Sequence, residues 1–442
     1  MKKPCYETRL FKATDNILLS EHTGYKKYPM SPHYNVYTAK LPSSKPTSSN
    51  YAGVAIKAPP GRDVVLLGTP TTEFPVKSPE IKFDYREISK LKRYKLLATA
   101  KELLPNNRIT YCQHALPKGA SVMLDKETGK SHLSGIAACG LFWICPVCSA
   151  KISMLRQEEI KEALQAAAAQ ELQAYFVTFT ASHKRGDSLI NNFGSMKDAV
   201  TFMRSAQSWK KLRKDTGFVG NIDSWETPYG QNNGWHVHLH SVFFMRPGLD
   251  VQELEKRIYS LWEKSLSKQG LHASELHGVK AVKATDDKIS EYLAKDYTLQ
   301  AEMTSENYKE SKGKSYSPMQ LLALYQTGDR QAGRLFQEYA IATRGKSKIR
   351  FSRGLKALLG LGKSASDQEL AESEQERKVT KLATFPPAIW QEITRKNGAI
   401  IGEMLVVSAL GSGALSTWLG YSFGFYIDDE GRVAREKKEL IL

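Results

Sequence analysis

The chain of 442 residues carries 63 Lys+Arg against 46 Asp+Glu, a formal net charge of +17. That length accommodates two or three domains of about 100–200 residues each, which excludes a minimal stapled scaffold. The basic excess favours a polyanionic partner through counterion release on phosphate contact, without naming the polyanion.

In chain order, the opening MKKPCYETRLFKATDN has no apolar run after its lysines. It lacks the h-region of a secretory signal, and the chain is expected to stay in a reducing cytoplasm. Residues 1–85 mix Pro, Ser and short apolar runs without helical periodicity and read as a variable, loop-rich arm to which no chemistry is assigned. Residues 84–104 space Ile88, Leu91, Leu96 and Leu97 as a basic amphipathic helix does.

Five cysteines follow an uneven pattern, with Cys5 apart and Cys112, Cys139, Cys145 and Cys148 close together, which argues for metal ligation over disulfides. Cys145 and Cys148 form C-P-x-C, a spacing that lets two thiolates grip one Zn²⁺, with Cys139 and Cys112 as the remaining ligands and His114 or His132 as substitutes for Cys112. Four thiolates leave no open coordination position, so the expected zinc is structural. Residues 151–174, rich in Ala, Glu, Lys and Gln, read as a helix, and residues 175–180 (YFVTFT) as a buried strand. A basic loop with Lys184 and Arg185 leads to a helix expected over 196–212. Lys210, Lys211 and Arg213 on it are candidate DNA contacts, with Trp209 available for base stacking.

GFVGNIDSWETPYG and WHVHLHSVFFMR read as two strands of an antiparallel hairpin joined by the turn-forming GQNNG. His236, His238 and His240 alternate with Val237 and Leu239, so on a period-two strand the three imidazoles share one face and the apolar residues pack on the other. Two patterns fit: the His-φ-His-φ-His-φ-φ triad of nucleotide hydrolases, in which Ser241 stands where an apolar residue is wanted, and the shorter His-hydrophobic-His of His238-Leu239-His240. In the second, His236 is an outer neighbour of the metal, and Glu226 on the preceding strand is the third ligand. A carboxylate with two imidazoles suits Mg²⁺ or Mn²⁺ on phosphate oxygens.

Residues 253–266 read as a helix, 279–284 as a strand and 286–303 as a further helix with aspartates at its start. On that helix Tyr292 and Lys295 lie three apart and share a face, setting an ammonium beside a phenol that needs a cation to act as nucleophile at neutral pH. Tyr297 points elsewhere. From about residue 319 the chain reads as predominantly helical, with a Ser/Glu-rich break at SASDQELAESEQE. The uncharged stretch 404–427 is long enough to span a bilayer, but its GSG and its Ser and Thr content favour a buried helix and turn, so no membrane is expected. The central hairpin favours α+β with an antiparallel sheet over a doubly wound parallel sheet.

Taken together, GIAACGLFWICPVCSAKI, YFVTFTASHKRGDSL, GWHVHLHSVFF, YLAKDYT, SPMQLLALYQTGD and FSRGL, in this order between residues 111 and 419, resemble the plasmid rolling-circle replication initiators of actinobacterial type, members of the HUH endonuclease superfamily. The resemblance implies an antiparallel HUH endonuclease core over 166–310. It sets a basic helix and Cys-rich zinc segment at 86–165 before the core and a helical C-terminal region at 311–442 after it. It implies that His238 and His240 bind the catalytic metal, that Tyr292 nicks one strand at the double-strand origin to give a 5′-phosphotyrosine and a free 3′-hydroxyl, and that Lys295 assists. Origin DNA, a host helicase and a host polymerase are the implied partners, in a bacterial cytoplasm. Some members carry a glutamate four residues before the tyrosine for termination; here that position is Lys288, leaving Asp287, Asp286, Glu291 or a second tyrosine to serve. A mobilisation relaxase or single-strand transposase shares the His-φ-His and tyrosine logic but lacks the cysteine segment. A zinc-stabilised DNA-binding regulator without catalysis is the alternative from another class.

Overall fold

The computed structural model describes residues 54–57, 63–66, 85–284, 315–374, 378–396 and 398–435. A two-stranded antiparallel ribbon, β1 (Val54–Lys57) and β2 (Asp63–Leu66), comes first. Helix α1 (Tyr85–Leu103) buries Leu96, Leu97 and Ala100, the apolar stripe legible in the sequence. The hairpin β3 (Ala120–Asp125) and β4 (Ser131–Ser134) is closed by Asp125, whose Oδ1 accepts from the N–H groups of Glu127 and Thr128, both at 2.9 Å. Helix α2 (Pro146–Ala169) starts inside C-P-x-C: Cys145 is its N-cap and Pro146 takes the first turn, where a missing N–H costs nothing.

The centre is a five-stranded sheet in the order β10–β5–β9–β6–β12, antiparallel at every step. Its strands are β5 (Gln173–Thr180), β6 (Gly220–Glu226), β9 (His238–Met245), β10 (Val279–Lys283) and β12 (Ile349–Phe351). Strand β9 lies in the middle and pairs from His238 to Met245 with β5, while on its other edge Glu226 faces His238. Two short strands, β7 (Tyr229–Gly230) and β8 (Gly234–Trp235), elaborate the β6–β9 connection, and β11 (Ser315–Tyr316) adds to β7. The sequence reading of a simple hairpin through GQNNG is therefore corrected: the turn closes the small β7–β8 ribbon, and β9 begins only at His238.

Helices α3 (Leu189–Ser205), α4 (Gln207–Thr216) and α5 (Val251–Ser267) cover one face of this sheet. Phe179 meets Trp262 of α5 at 5.3 Å between ring centroids, and Phe243 meets Trp209 of α4 at 5.7 Å. The single helix expected over 196–212 is broken at Ala206, which is extended at φ −67°, ψ 148°. On one continuous helix, Met203 and Trp209 would point about 120° apart; the break lets both bury against the same core.

The region expected to be helical beyond residue 311 needs a second correction. It supplies α6 (Pro318–Gln326), α7 (Arg330–Thr343), α8 (Leu355–Leu358), α9 (Asp367–Glu372), α10 (Pro387–Lys396), α11 (Ile400–Ser408) and α12 (Ser412–Phe423). It also supplies β12 to the central sheet and β13 (Val379–Phe385) to the edge of β3, and it ends on the ribbon β14 (Phe425–Ile427) and β15 (Val433–Arg435). These strands are short or, in β13, interrupted by a bulge between Lys381 and Ala383, so their period-two signal is weak. The Ser/Glu-rich break contains α9, opened by a Ser366/Glu369 capping box. The uncharged stretch folds as α11, α12 and β14, and among the described residues no helix is long and apolar enough to cross a membrane.

Candidate metal and nucleic-acid site

The register of the central sheet sets Thr180, His238 and Glu226 in one row across β5, β9 and β6, and Thr178, His240 and Ser224 in the next. Because side chains alternate along a strand, these two rows share the face opposite Leu239, Phe179 and Trp225, which pack beneath. The apolar half of the alternation thus anchors the strand and the polar half is left for chemistry.

His240 is the best-fixed ring. Its Nδ1 lies 3.0 Å from Thr178 Oγ1, its Nε2 lies 2.9 Å from Glu226 Oε2, and Phe176 stacks on it at 5.5 Å between centroids. A nitrogen lone pair and a carboxylate oxygen at that distance need a proton or a cation between or beside them. Two adjacent ligands of an octahedral cation with bonds of about 2.1 Å stand about 3.0 Å apart. The Glu226–His240 separation equals that edge and equally an ordinary N–H···O bond, and among the described residues His238 does not converge with the two into a metal-holding group as the cysteines do. The His238 ring lies 5.9 Å from that of His240 and nearly parallel to it, at 22°. Burial lowers His238 to a pKa of about 4, with Glu226 opposing and the other imidazoles adding to the shift. His238 is therefore neutral at physiological pH, the form that binds metal.

The row of imidazoles continues beyond the expected pair. His236 sits between β8 and β9, its N–H donating to Pro228 O at 2.9 Å, with its ring 5.7 Å from His238. His183, in the loop after β5, meets His236 edge-on at 4.0 Å. Burial, and then the neighbouring His183, lower His236 to about 4. Sequence reading missed His183, Thr178 and Phe176. Only the pairing of Thr180 with His238 brings the end of β5 beside the histidine strand, and no spacing within one segment reports that.

The opposite face carries a buried ion pair. Arg204 of α3 grips Asp223 of β6 through two bonds of 2.6 and 2.8 Å, and Asn221 and Ser241 donate to the same carboxylate at 2.7 and 2.6 Å. Burial works against ionisation of Asp223, but Arg204, Ser241 and Arg350 outweigh it and hold the carboxyl below its ordinary range.

The four cysteines come together as the sequence suggested. Their sulfur atoms all lie within 4.8 Å of one another and are buried, and the group could hold a metal ion. Cys112 Sγ is 3.6 Å from both Cys145 and Cys148, and Cys139 Sγ is 3.7 Å from Cys148. A tetrahedron with Zn–S bonds of about 2.3 Å has edges of about 3.8 Å, which these three separations match. Neither His114 nor His132 is needed. Hydrogen bonds from the other three thiols, acting against burial, push Cys112 strongly towards thiolate. Cys139 is raised chiefly by its bond to Cys112, and Cys145 chiefly by burial. The irregular spacing is met by three separate elements: a 3₁₀ turn (Arg108–Tyr111) before Cys112, the loop after β4 for Cys139, and the first turn of α2 for the last pair.

The candidate DNA contacts divide. Lys184 and Arg185 stand exposed in the loop that carries His183, at the histidine end of the sheet. That loop packs on the β7–β8 turn: a Cβ at Gly234, whose φ is +79°, would lie 2.7 Å from Arg185 O. Lys210, Lys211 and Arg213 are exposed on α4, under the other face. Trp209 is corrected as a stacking residue, since it is 3% exposed and packed between Phe218 and Phe243. Tyr292, Lys295, Asp287 and the rival Tyr297 lie outside the described residues.

Residues 134–397 match the family model described as replication protein, a span that takes in Cys139, Cys145, Cys148 and all five strands of the central sheet. The chain is 26% identical over 312 residues to the protein rep of Streptomyces lividans, covering 55% of this chain and 68% of that protein. It is 30% identical over 166 residues to a neomycin resistance protein of Streptomyces cyanogenus, covering 32% of this chain and 38% of that protein. No solved structure matches.

Proposed function

Because the chain belongs to the replication-protein family, whose model spans more than half its length, we propose that it initiates rolling-circle replication of plasmid DNA by nicking one strand at the origin, on an HUH-type sheet. The observation that carries this reading is the polar face of β9, where Glu226 Oε2 and His240 Nε2 stand 2.9 Å apart beside a neutral His238. His238, His240 and Glu226 would hold one Mg²⁺ or Mn²⁺, which when bound polarises the scissile phosphate as a Lewis acid. Thr178 holds the His240 ring through Nδ1 and keeps Nε2 directed at Glu226.

The nucleophile in this reading is Tyr292. Its phenolic oxygen forms a bond to phosphorus, the bond from phosphorus to the 3′ oxygen breaks, and that oxygen leaves as a 3′-hydroxyl after taking a proton. The ammonium of Lys295 offsets the charge on the phenolate and on the phosphoryl group in flight. A host polymerase and helicase would then extend the free 3′ end, and the phosphotyrosine conserves the bond for the closing transfer.

The test is a labelled single-stranded oligonucleotide library incubated with the protein and Mn²⁺. A covalent protein–DNA adduct that survives boiling in SDS, and that Tyr292→Phe abolishes, is the expected result. If the wild-type protein forms no adduct with any divalent metal, even on DNA of the replicon that encodes it, the nickase reading fails and a non-catalytic DNA-binding regulator becomes the better account.

A further inference from the structure

We infer that α4 is a second DNA-contacting surface, one that grips the backbone of duplex DNA about six base pairs or more from the phosphate at the histidine face. The partner's identity rests on the nickase reading; the geometry does not.

Helix α4 spans only Gln207–Thr216, yet Lys210, Lys211, Arg213 and Lys214 all stand exposed on it. Lys210 and Lys214 are an i,i+4 pair of like charge, and Lys210–Arg213 and Lys211–Lys214 are i,i+3 pairs, arrangements that weaken an isolated helix. Asp215, the one acidic residue of the helix, is taken by Arg257 at 2.6 Å. Lys210, Arg213 and Lys214 border an open depression of about 250 Å³ floored by Phe218, with Arg213 5.1 Å above that ring. A helix that repels itself and whose four basic residues form no ion pair among the described residues matches a polyanion supplied from outside.

The form of the polyanion follows from what the surface lacks. Proteins that hold single strands offer aromatic platforms for unstacked bases. On α4 Trp209 is in the core, and Phe218 is half-buried under Arg213. What is left recognises phosphates alone, which suits the regular backbone of a duplex.

The distance follows from the sheet. Trp209 and Phe218 pack on Phe243, whose side chain points away from His238 and His240. Phe243 lies five residues from His238, roughly 17 Å along the strand, and the packed helix adds a layer of about 10 Å. The resultant of about 20 Å exceeds the reach of a lysine and equals about six base-pair steps of roughly 3.4 Å. Lys184 and Arg185, by contrast, flank the histidine row and are suited to the strand being cut.

Fluorescence anisotropy in metal-free buffer tests this on hairpin DNAs that share a random single-stranded arm and differ in stem length, from 4 through 8 and 12 to about 16 base pairs. Wild-type affinity should rise about tenfold or more once the stem passes about eight base pairs, and the salt slope should steepen by up to about 3.6, close to 0.9 per phosphate contact. Lys210→Gln/Lys211→Gln/Arg213→Gln/Lys214→Gln should lose that rise, while Lys210→Arg/Lys211→Arg/Lys214→Arg keeps it. If the fourfold variant does not fold, Lys211→Gln and Arg213→Gln singly should each flatten the slope by about one. A wild-type affinity indifferent to stem length, a rise that survives the Gln variant, or α4-dependent binding to anionic vesicles in place of DNA would each overturn the inference. No nicking is involved in the measurement. A stem-length effect in a protein that forms no covalent adduct would sink the nickase reading and leave this one standing.

Discussion

The cysteine cluster gives the sharpest quantitative expectation. Three of the sulfur separations, 3.6, 3.6 and 3.7 Å, fall within about 0.2 Å of the edge of a Zn–S tetrahedron. If zinc sits there, as we propose, Cys145→Ser removes one thiolate ligand while its hydroxyl can still cap α2, as Cys145 Sγ does by accepting from Cys148 N at 3.4 Å, so the variant isolates the contribution of the metal. Structural zinc contributes about 10–16 kcal/mol of apparent binding free energy, against a net stability of about 5–15 kcal/mol for a typical domain. Loss of the ion should therefore unfold at least the part built on α1, the β13–β3–β4 sheet and the start of α2. Protein purified under reducing conditions should contain one zinc per chain by elemental analysis. Cys145→Ser should contain little and melt at least about 6–10 °C lower, the shift expected for a loss of roughly 3 kcal/mol or more. A wild-type protein with no stoichiometric metal, together with a Cys145→Ser variant that melts within about 2 °C of it, would refute the argument and reduce the cluster to packed thiols.

Three further outcomes are expected. Asp223→Asn leaves Arg204 charged and buried without its partner, and should cost about 3–5 kcal/mol in urea unfolding; a cost below about 1 kcal/mol would mean the pair is solvated and the back face is not a fixed support. In metal-free protein, His236 and His238 are lowered to about 4 from an ordinary 6.5, so the unfolded chain takes up protons first as the pH falls. Their contribution is fully present above about pH 6.5 and is lost towards pH 4, by up to about 3 kcal/mol per ring, less for the part of each that stays solvated; His238→Asn should flatten that limb of the stability curve, and an unchanged limb would assign it elsewhere. Glu226→Gln should weaken Mn²⁺ binding by calorimetry about 100-fold and lower adduct formation in parallel, whereas unaltered metal affinity would remove Glu226 from the proposed ligand set.

The features legible in the sequence are those whose physics is local. The apolar stripe of α1, the alternation of β9, the C-P-x-C start of α2 and the β-branched run of β5 each state their structure within one turn or one strand. What could not be read depends on partners distant in the chain. Strand β12 is three residues long and exists because Ile349 to Phe351 find Ser224 to Ile222 across a gap of more than a hundred positions. Trp209 looked available for stacking because composition does not say which side of an amphipathic helix meets the sheet; Phe218 and Phe243 decide that. His183 was invisible for the same reason, since its neighbour His236 lies in the connection between β8 and β9, far from it in the chain.

The cysteine cluster and the histidine face are not independent, and the link runs through the segment between Cys139 and Cys145. Trp143 donates from Nε1 to Lys346 O at 2.7 Å and accepts at its own carbonyl from Tyr339 Oη at 3.2 Å. Two residues on, Lys348 is fully buried with its ammonium 4.9 Å from the Trp143 ring and 5.2 Å from that of Phe142, and its carbonyl accepts from Trp225 N at 3.0 Å. That last bond extends the β6–β12 pairing to the position next to Glu226. The carboxylate would otherwise end a strand at the rim of the sheet, where ladders fray and side chains wander. Here its backbone is braced from below by a segment whose two ends carry cysteines of one cluster. The proposed ligand set, which must hold its donors to within about 0.5 Å, needs such support from rigid neighbours, and in this chain the cysteine cluster is positioned to supply it.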